Sequence, residues 1–389
     1  MEMRLAGTQK TSNGGKSAKE GNMRKLSWTF VLPAVVTAIM FVAGCGDGGN
    51  DQQAAVSGDS AAPAARKVTL KVASAFPTSL ALIGEGAVTF AGKVQRVSGG
   101  NLEIRIFEPG ALVPALEAIQ AVSKGSVDAA WTTAGFFAGT DMAFNFFTAV
   151  PFGPDAPEYM AWMYHGGGLE LADEMFGAHN VKYIPCAFQP PEASGWFRQE
   201  IKSLDDLKGM KMRFFGLGAR VMDKLGVATQ LLAPGDIFQS LQLGTIDATE
   251  FSMPVMDESF GFYQVAKYYY FPGWHQPASI LGLFINLDLW NGLSDQHQAI
   301  LEVTCGDMIR DILARGEFMQ SPAMTRMRDK HGVKIMYWPP EFLAAYKKAW
   351  QEVIAEESKN NPNFRKIYAS YSKFREGFKL WGDNGYLKR

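Results

Sequence analysis

A short motif that occurs twice constrains the fold of this chain more than any other feature. Residues 124–131 read KGSVDAAW and residues 243–251 read LGTIDATEF, so both contain a glycine, a hydroxyl residue, a β-branched residue and Asp-Ala. Each copy follows an amphipathic run that begins just after a Pro-Gly pair, which indicates a glycine-capped helix leading into a buried strand. The repeat predicts two α/β units. A chance match is the alternative, because such junctions are common.

Alternating strand and helix patterns surround both copies. The predicted strands are 67–73, 102–107, 127–133, 196–198, 211–214 and 246–249, and the predicted helices are 79–97, 114–123, 219–225, 237–243, 294 to about 318, and 340–360. This alternation predicts an α/β fold in which helices cover parallel strands. Because two such units leave a crevice between them, we expect ligands to bind there, at the carboxyl ends of the strands.

The N-terminal segment, residues 1–45, is typical of a lipoprotein signal peptide. A short basic stretch that begins at Met23, the expected translation start, precedes an uncharged apolar run, and residues 42–45 read Val-Ala-Gly-Cys. Small residues before a cysteine are the cleavage signal of lipoproteins, so Cys45 is the expected lipidation site. A permanent transmembrane helix is the alternative, although Pro33 interrupts the apolar run and the run is barely long enough to span a bilayer.

Composition and charge favour an exported protein that does not bind nucleic acid. Residues 46–66 consist mostly of Gly, Asp, Gln, Ser and Ala, which cannot form a core and therefore predict a flexible tether to the membrane surface. The net charge is −1 and no run of basic residues is present, so nothing indicates a nucleic-acid partner.

Two cysteines lie in the part of the chain that is expected to fold. Cys186 and Cys305 could form a disulfide in an oxidising compartment. Their spacing in the sequence does not indicate a disulfide, and a domain of this size does not need one for stability. We therefore expect two buried thiols.

Two arginines are candidates for binding an anion. Arg213 ends the predicted strand Lys211-Met212-Arg213, where a guanidinium can hold a carboxylate through two parallel hydrogen bonds. Arg198 is a second candidate. A surface position for Arg213 and a structural salt bridge for Arg198 are the alternatives.

Three oxygen-bearing side chains in loops are candidate ligands of a cation. Glu192 and Gln276 lie in proline-rich loops, and Glu250 follows the second copy of the repeated motif. Carboxylate and amide oxygens suit Ca²⁺ or another hard cation rather than zinc. Solvated loop positions are the alternative, because sequence spacing cannot show that the three side chains converge.

No motif indicates catalysis or a zinc site. The five histidines, at positions 165, 179, 275, 297 and 331, include no pair with metal-ligand spacing. The sequence contains no Gly-x-Ser-x-Gly, His-Glu-x-x-His or Cys-x-x-Cys, so it favours binding over catalysis.

Seven stretches resemble the DctP-type solute-binding proteins of TRAP transporters, and within that family the receptors that bind 2-oxo acids together with a cation. The stretches are VASAFP (72–77), PGALVP (109–114), WMYHGGG (162–168), GWFR (195–198), KMR (211–213), GTIDATE (244–250) and YYYFPGW (268–274). The resemblance implies that Arg213 holds the substrate carboxylate. It also implies that Glu250 ligates the cation and that Phe251 contributes its backbone carbonyl.

Four positions depart from the pattern of these receptors. Glu192 stands where a glutamine ligand is expected, and Gln276 stands where a glutamate is expected, so acid and amide are exchanged. Two carboxylates, Glu192 and Glu250, favour Ca²⁺ over the alternative, Na⁺. Phe136 replaces a tyrosine and His275 replaces an aromatic residue, so the identity of the acid is open.

The resemblance further implies a two-lobed protein that closes around a hinge and has long C-terminal helices. The expected first lobe comprises residues 67–188 and 277–318, and the second lobe with the C-terminal helices comprises residues 189–276 and 319–389. No extra C-terminal helix of the kind that some relatives exchange between subunits is expected beyond Tyr386, so dimerisation by that route is not expected.

The expected ligand is a small 2-oxo or 2-hydroxy monocarboxylate, which a membrane permease then receives. The expected walls of the pocket are aromatic: Phe76, Phe136, Phe251 and Trp274. Two alternatives are open. One is a metal-dependent lyase or isomerase acting on 2-oxo acids. The other is a receptor for a larger aromatic acid or a dicarboxylate, for which Arg198 would supply the second positive charge.

Overall fold

The computed structural model describes residues 67–387. The predicted signal peptide, Met23, Cys45 and the tether lie outside these residues. Within them, no helix is both long enough and apolar enough to cross a membrane.

The six predicted strands and the six predicted helices are all present in the predicted order, and the described chain contains five further strands and five further helices that were not predicted. The strands are β1 Val68–Ser74, β2 Leu102–Phe107, β3 Ala129–Thr132, β4 Val181–Gln189, β5 Gly195–Phe197, β6 Lys211–Arg213, β7 Ala228–Gln230, β8 Ala248–Thr249, β9 Tyr268–Phe271, β10 Ser279–Asn286 and β11 Lys334–Tyr337. The helices are α1 Ile83–Val97, α2 Ala118–Ser123, α3 Ala156–His165, α4 Gly168–Gly177, α5 Gly216–Lys224, α6 Ile237–Leu243, α7 Pro254–Phe260, α8 Leu287–Asn291, α9 Asp295–His331, α10 Pro340–Asn360 and α11 Pro362–Gly385.

The strands form two sheets, one with the order β2-β1-β3-β10-β4 and one with the order β11-β9-β5-β8-β6-β7. The predicted parallel pairing is found between β1 and both β2 and β3, and between β6 and both β7 and β8. It fails for β10, which is antiparallel to β3 and β4, and for β5, which is antiparallel to β8 and β9. β4 carries the chain out of the first sheet and β10 brings it back, so these two neighbours run in opposite directions.

Both copies of the repeated motif perform the same structural task. Asp128 accepts a hydrogen bond from the backbone N–H of Lys71 at 2.8 Å, and Asp247 accepts one from the backbone N–H of Lys211 at 3.0 Å. In each unit the aspartate therefore ties the strand that follows the helix to the neighbouring strand. Gly125 and Gly244 have φ values of 70° and 74°, a left-handed conformation that favours glycine. This shared geometry shows that the repeat is architectural.

The C-terminal part of the described chain is helical. α9 was predicted to end near residue 318 but continues to His331, even though Pro322 lies inside it. The helix ends where Gly332 adopts the left-handed conformation with φ 65°, which is a common way for a helix to end. α11 follows after Asn361, whose side chain caps it by accepting from the backbone N–H of Phe364.

The two cysteines form a disulfide, so the prediction of two free thiols was wrong. Cys186 on β4 is bonded to Cys305 on α9, and both are fully buried. The bond closes a loop with a sequence separation of 119 residues, for which a loop-entropy treatment gives about 4–5 kcal/mol of stabilisation. The sequence separation gave no hint of the bond, because only the packing of α9 across β4 brings the two sulfurs together.

Candidate ligand-binding and cation site

A small cavity lies where strand ends of both sheets meet. Its volume is about 40 Å³, which corresponds to about three water-sized occupants. Its lining residues are Phe76, Ile83, Thr133, Phe136, Thr148, Gln189, Glu192, Arg213, Phe215, Phe251, Ser252, Gln276, Ser279 and Leu281. Polar and apolar side chains therefore both line the cavity.

Arg213 and Glu250 form a buried ion pair beside this cavity. Nη1 of Arg213 lies 2.6 Å from Oε1 of Glu250 and 2.8 Å from the Glu250 backbone carbonyl oxygen, and the two side chains are 2% and 0% exposed. The pairing follows from topology, because Arg213 ends β6 and Glu250 follows β8, its parallel neighbour. Within the described chain the hydrogen bonds of this guanidinium use Nε and Nη1, which leaves Nη2 for a ligand.

The two carboxylate oxygens of Glu250 have different surroundings. Oε1 also accepts a hydrogen bond from the backbone N–H of Phe215 at 2.6 Å. Oε2 is buried without a hydrogen-bond partner in the described chain. Burial by itself raises the pKa of Glu250. The positive charge of Arg213, the neighbouring His275 ring and the hydrogen bond from the Phe215 backbone N–H together outweigh burial and hold the pKa below its usual value. Glu250 is therefore a charged carboxylate with one free oxygen.

Glu192 is a second buried carboxylate, and it has no cationic partner as close as the one Glu250 has. Its Oε1 accepts hydrogen bonds from the hydroxyls of Ser279 at 3.2 Å and Ser252 at 3.3 Å, and its Oε2 accepts one from the side-chain amide of Gln276. Burial and the negative charge of Glu250 raise the pKa of Glu192 well above its usual value. This carboxylate would be stabilised by a cation.

His275 completes a cluster of possible metal ligands. Its Nε2 lies 3.5 Å from Oε2 of Glu250 and 4.0 Å from Oε2 of Glu192. Ligand atoms of these three residues all lie within 4.8 Å of one another. The structure thus brings Glu192, Glu250 and Gln276 together, which the family resemblance implied and the sequence spacing could not show, and it adds His275. No local spacing could have identified His275, because its partners are distant in the chain.

Three of the four predicted aromatic walls line the cavity. Phe76 and Phe136 lie with ring centroids 6.1 Å apart, and Phe251 packs under the guanidinium of Arg213 at 5.7 Å. Trp274 does not line the cavity, contrary to the sequence-based expectation. It packs instead against Tyr346, with a centroid distance of 4.8 Å, and against neighbouring rings, because its loop turns the indole toward α10.

Arg198 lies away from the cavity. It is exposed and lines a separate surface cleft together with Asp247 and Lys208. Among the residues that line the cavity in the described chain, Arg213 is the only one with a positive charge.

A buried aspartate that the sequence analysis did not single out holds a segment next to the site in place. Asp257 accepts hydrogen bonds from the indole N–H of Trp196 at 2.9 Å, the hydroxyl of Tyr269 at 2.7 Å and the backbone N–H of Ser252 at 3.2 Å. Burial raises the pKa of Asp257 to about 7, although the Tyr269 and Trp196 hydrogen bonds oppose this. Asp257 thereby fixes the segment that carries Phe251 and Ser252.

Comparison with known proteins identifies the family. The family model DctP, described as bacterial extracellular solute-binding protein, family 7, matches residues 73–360. The chain belongs to this family. Its members are solute receptors of TRAP transporters rather than enzymes, and they act outside the cytoplasm.

Individual relatives agree with the family and the fold. This solute-binding protein is 34% identical, over 81% of its own chain and 86% of the relative, to a monocarboxylate 2-oxoacid-binding periplasmic protein of Nostoc sp.. It resembles a TRAP transporter solute-binding protein of Bordetella bronchiseptica, solved with calcium and picolinate, with TM-score 0.79 and 35% identity over 81% of this chain and 94% of that one. It also resembles a TRAP solute-binding protein of Pseudoalteromonas atlantica, solved with sodium and pyruvate, with TM-score 0.78 and 30% identity over 81% of this chain and 96% of that one. The predicted two-lobed α/β fold class is thus confirmed.

Proposed function

We propose that this receptor captures a small 2-oxo or 2-hydroxy monocarboxylate together with Ca²⁺ and delivers it to the permease of a TRAP transporter. The observation that carries the proposal is that Arg213 and Glu192 line one small cavity, while Glu250 is paired with Arg213 beside it and belongs to the same cluster of possible metal ligands as Glu192. Two relatives bind pyruvate or picolinate with a metal ion, and both acids have a second donor atom next to the carboxylate.

The residues present fit a divalent cation. Glu250 has a buried oxygen without a partner, and Glu192 is a buried carboxylate whose charge nothing nearby fully balances. A bound Ca²⁺ would supply the positive charge that these groups lack, with Glu192, Glu250, Gln276 and the Phe251 backbone carbonyl as its oxygen ligands. Two carboxylates suit Ca²⁺ better than Na⁺.

Arg213 and the cation together explain the choice of ligand class. Burying an unpaired carboxylate costs several kcal/mol, and the free Nη2 of Arg213 would offset this by donating to the ligand. A cation beside the guanidinium favours an acid that has an oxygen next to its carboxylate. The apolar wall formed by Phe76, Phe136 and Leu281 suits a short apolar side chain.

The two alternative ligands differ in their support. A dicarboxylate needs a second positive charge, but Arg198 is exposed in a different cleft. An aromatic acid has the support of one relative, which was solved with picolinate and calcium.

Closure around the ligand is part of the proposal. We place the first lobe at residues 67–188 and 277–318, and the second at residues 189–276 and 319–389. β4 and β10 belong to one sheet, whereas β5 and β9 belong to the other, so the chain crosses between sheets around residues 190–194 and 272–278. Contacts of a ligand to both sides would favour the closed form.

A thermal-shift panel tests the ligand class. With Ca²⁺ and acid at about 100 times its Kd, pyruvate or lactate is expected to raise the Tm by roughly 5 °C, because ligand binding then adds about 2.7 kcal/mol. Propanoate, which lacks the 2-oxygen, is the matched control and is expected to have little effect. A chelator should remove the shift and added Ca²⁺ should restore it. The proposal would be contradicted if propanoate raised the Tm as much as pyruvate does, or if the Tm shift with pyruvate were unchanged by the chelator.

We also propose that Cys45 anchors the protein to a membrane through a lipid, with residues 46–66 as a tether. The support is the sequence Val-Ala-Gly-Cys at 42–45 after an apolar run. In a bacterium that processes lipoproteins, we expect the protein to incorporate labelled palmitate and to sediment with membranes, and a Cys45→Ser variant to do neither. Unlabelled wild-type protein in the soluble fraction would refute the anchor.

A further inference from the structure

The imidazole of His275 is buried in the cation cluster without satisfying its own hydrogen-bonding capacity. The side chain is 1% exposed, and neither Nδ1 nor Nε2 has a hydrogen-bond partner within residues 67–387. Leaving a buried polar atom unsatisfied costs about 1–3 kcal/mol. In the described chain the ring has two carboxylates within 4.0 Å, Glu250 and Glu192, and both face Nε2. A histidine in this position therefore requires an explanation.

The surroundings hold this ring in one place. Phe214 packs edge-on against it with a centroid distance of 5.0 Å, and Trp274 packs edge-on at 5.6 Å. Gly218 on α5 makes room, since a Cβ there would lie 2.9 Å from the Cβ of His275 and 2.5 Å from the Phe214 ring. The aromatic rings cover the imidazole and leave its Nε2 directed at the carboxylates.

We propose that His275 is a nitrogen ligand of the cation site, so that this receptor accepts first-row divalent ions such as Mn²⁺ and Co²⁺ in addition to Ca²⁺. The proposal rests on the proposed function, because it concerns the same cation site. Hard ions such as Ca²⁺ take oxygen ligands almost exclusively, whereas imidazole is a preferred ligand of the first-row transition metals. Two carboxylates and one imidazole together offer oxygen ligands to Ca²⁺ and a nitrogen ligand to the first-row transition metals.

The distances suit a shared ion. Nε2 of His275 lies 3.5 Å and 4.0 Å from the nearest oxygens of Glu250 and Glu192. Ligands about 2.0–2.2 Å from one metal ion stand roughly 3–4 Å from one another. Oε2 of Glu250, the unpartnered oxygen, is the atom nearest to Nε2. The two atoms are therefore close enough to bind the same metal ion.

Pulsed EPR on wild-type protein loaded with Mn²⁺ alone tests the proposal without any substitution. We expect a ¹⁴N coupling to the metal ion, and we expect protein made with ¹⁵N-histidine to show the ¹⁵N coupling in its place. Absence of a nitrogen coupling in protein with bound Mn²⁺ would overturn the proposal, as would failure of the protein to bind Mn²⁺ under conditions in which it binds Ca²⁺.

Variants identify the histidine. His275→Gln, with an amide oxygen in place of the imidazole nitrogen, should lose the coupling, and the ratio of its Co²⁺ affinity to its Ca²⁺ affinity should fall about tenfold or more. His165→Gln, at an exposed end of α3, is the control and should keep both. A coupling that persists in His275→Gln, or an unchanged affinity ratio in a folded variant, would overturn the assignment.

The outcome is distinguishable from failure of the proposed function. One possible result is that acid affinity is unchanged by chelator and by Ca²⁺, while protein loaded with Mn²⁺ alone shows the histidine coupling. His275 is then a metal ligand, and the role of the metal in acid binding is refuted. If acid binding depends on Ca²⁺ and no coupling is seen, the proposed function stands and the role of His275 is refuted.

Discussion

Replacing Arg213 by methionine is expected to weaken binding of a small carboxylic acid about 100-fold or more. The substitution removes the guanidinium whose Nη2 is free beside the cavity, and it leaves Glu250 buried without its 2.6 Å partner. Loss of one member of a buried charge pair costs about 2–5 kcal/mol, and 1.4 kcal/mol is tenfold in affinity. Calorimetry with pyruvate and Ca²⁺ measures the change. Undiminished affinity would remove Arg213 from the site.

The same substitution is expected to lower the stability of the ligand-free protein, so binding and folding must be separated. Arg213→Met combined with Glu250→Gln removes both charges and should recover much of the lost stability without recovering acid binding. Arg213→Lys keeps the charge but loses the forked geometry and should bind with intermediate affinity. If the double variant recovered acid binding together with stability, Arg213 would have only a structural role.

Replacing either carboxylate of the cluster by glutamine is expected to change the stability of the ligand-free protein, and the two substitutions are expected to act in opposite directions. Glu250→Gln leaves Arg213 buried without its partner and should destabilise the ligand-free protein by about 3–5 kcal/mol. Glu192→Gln replaces a buried carboxylate that lacks a close cationic partner, so it should raise the Tm of the ligand-free protein at neutral pH. Both variants should lose Ca²⁺-dependent acid binding.

The pH dependence follows from the direction of each pKa shift. The pKa of Glu192 is raised on folding, so the ligand-free protein should lose stability as the pH rises from the usual glutamate pKa to the raised one, and Glu192→Gln should abolish this loss. The pKa of Glu250 is lowered, so its contribution is present at neutral pH and is lost as the pH falls through the lowered pKa. Denaturation in the absence of Ca²⁺ at several pH values measures both. A stabilised Glu250→Gln variant, or a destabilised Glu192→Gln variant, would contradict this electrostatic account.

About half of the strands and helices followed from local sequence patterns. The repeated glycine-capped junction, the alternation of β-branched strands with amphipathic helices, and the helix signals at Ser294 and Pro340 all report burial or backbone conformation within a few residues. The stop signal of α9 was misjudged, because Gly332 rather than the region near residue 318 ends that helix. Family motifs also named Arg213 and Glu250, which the structure pairs across two neighbouring strands.

Other features depended on which distant segments come together. The sequence by itself determined six of the strands, six of the helices, the repeated aspartate junction and the residue types at the candidate site. Only the tertiary structure decided that β10 pairs antiparallel with β4, that Cys186 meets Cys305, that Trp274 turns away from the cavity, and that His275 faces two carboxylates. The physical reason is that periodicity and capping are local, whereas the meeting of side chains far apart in the chain is set by how the elements pack.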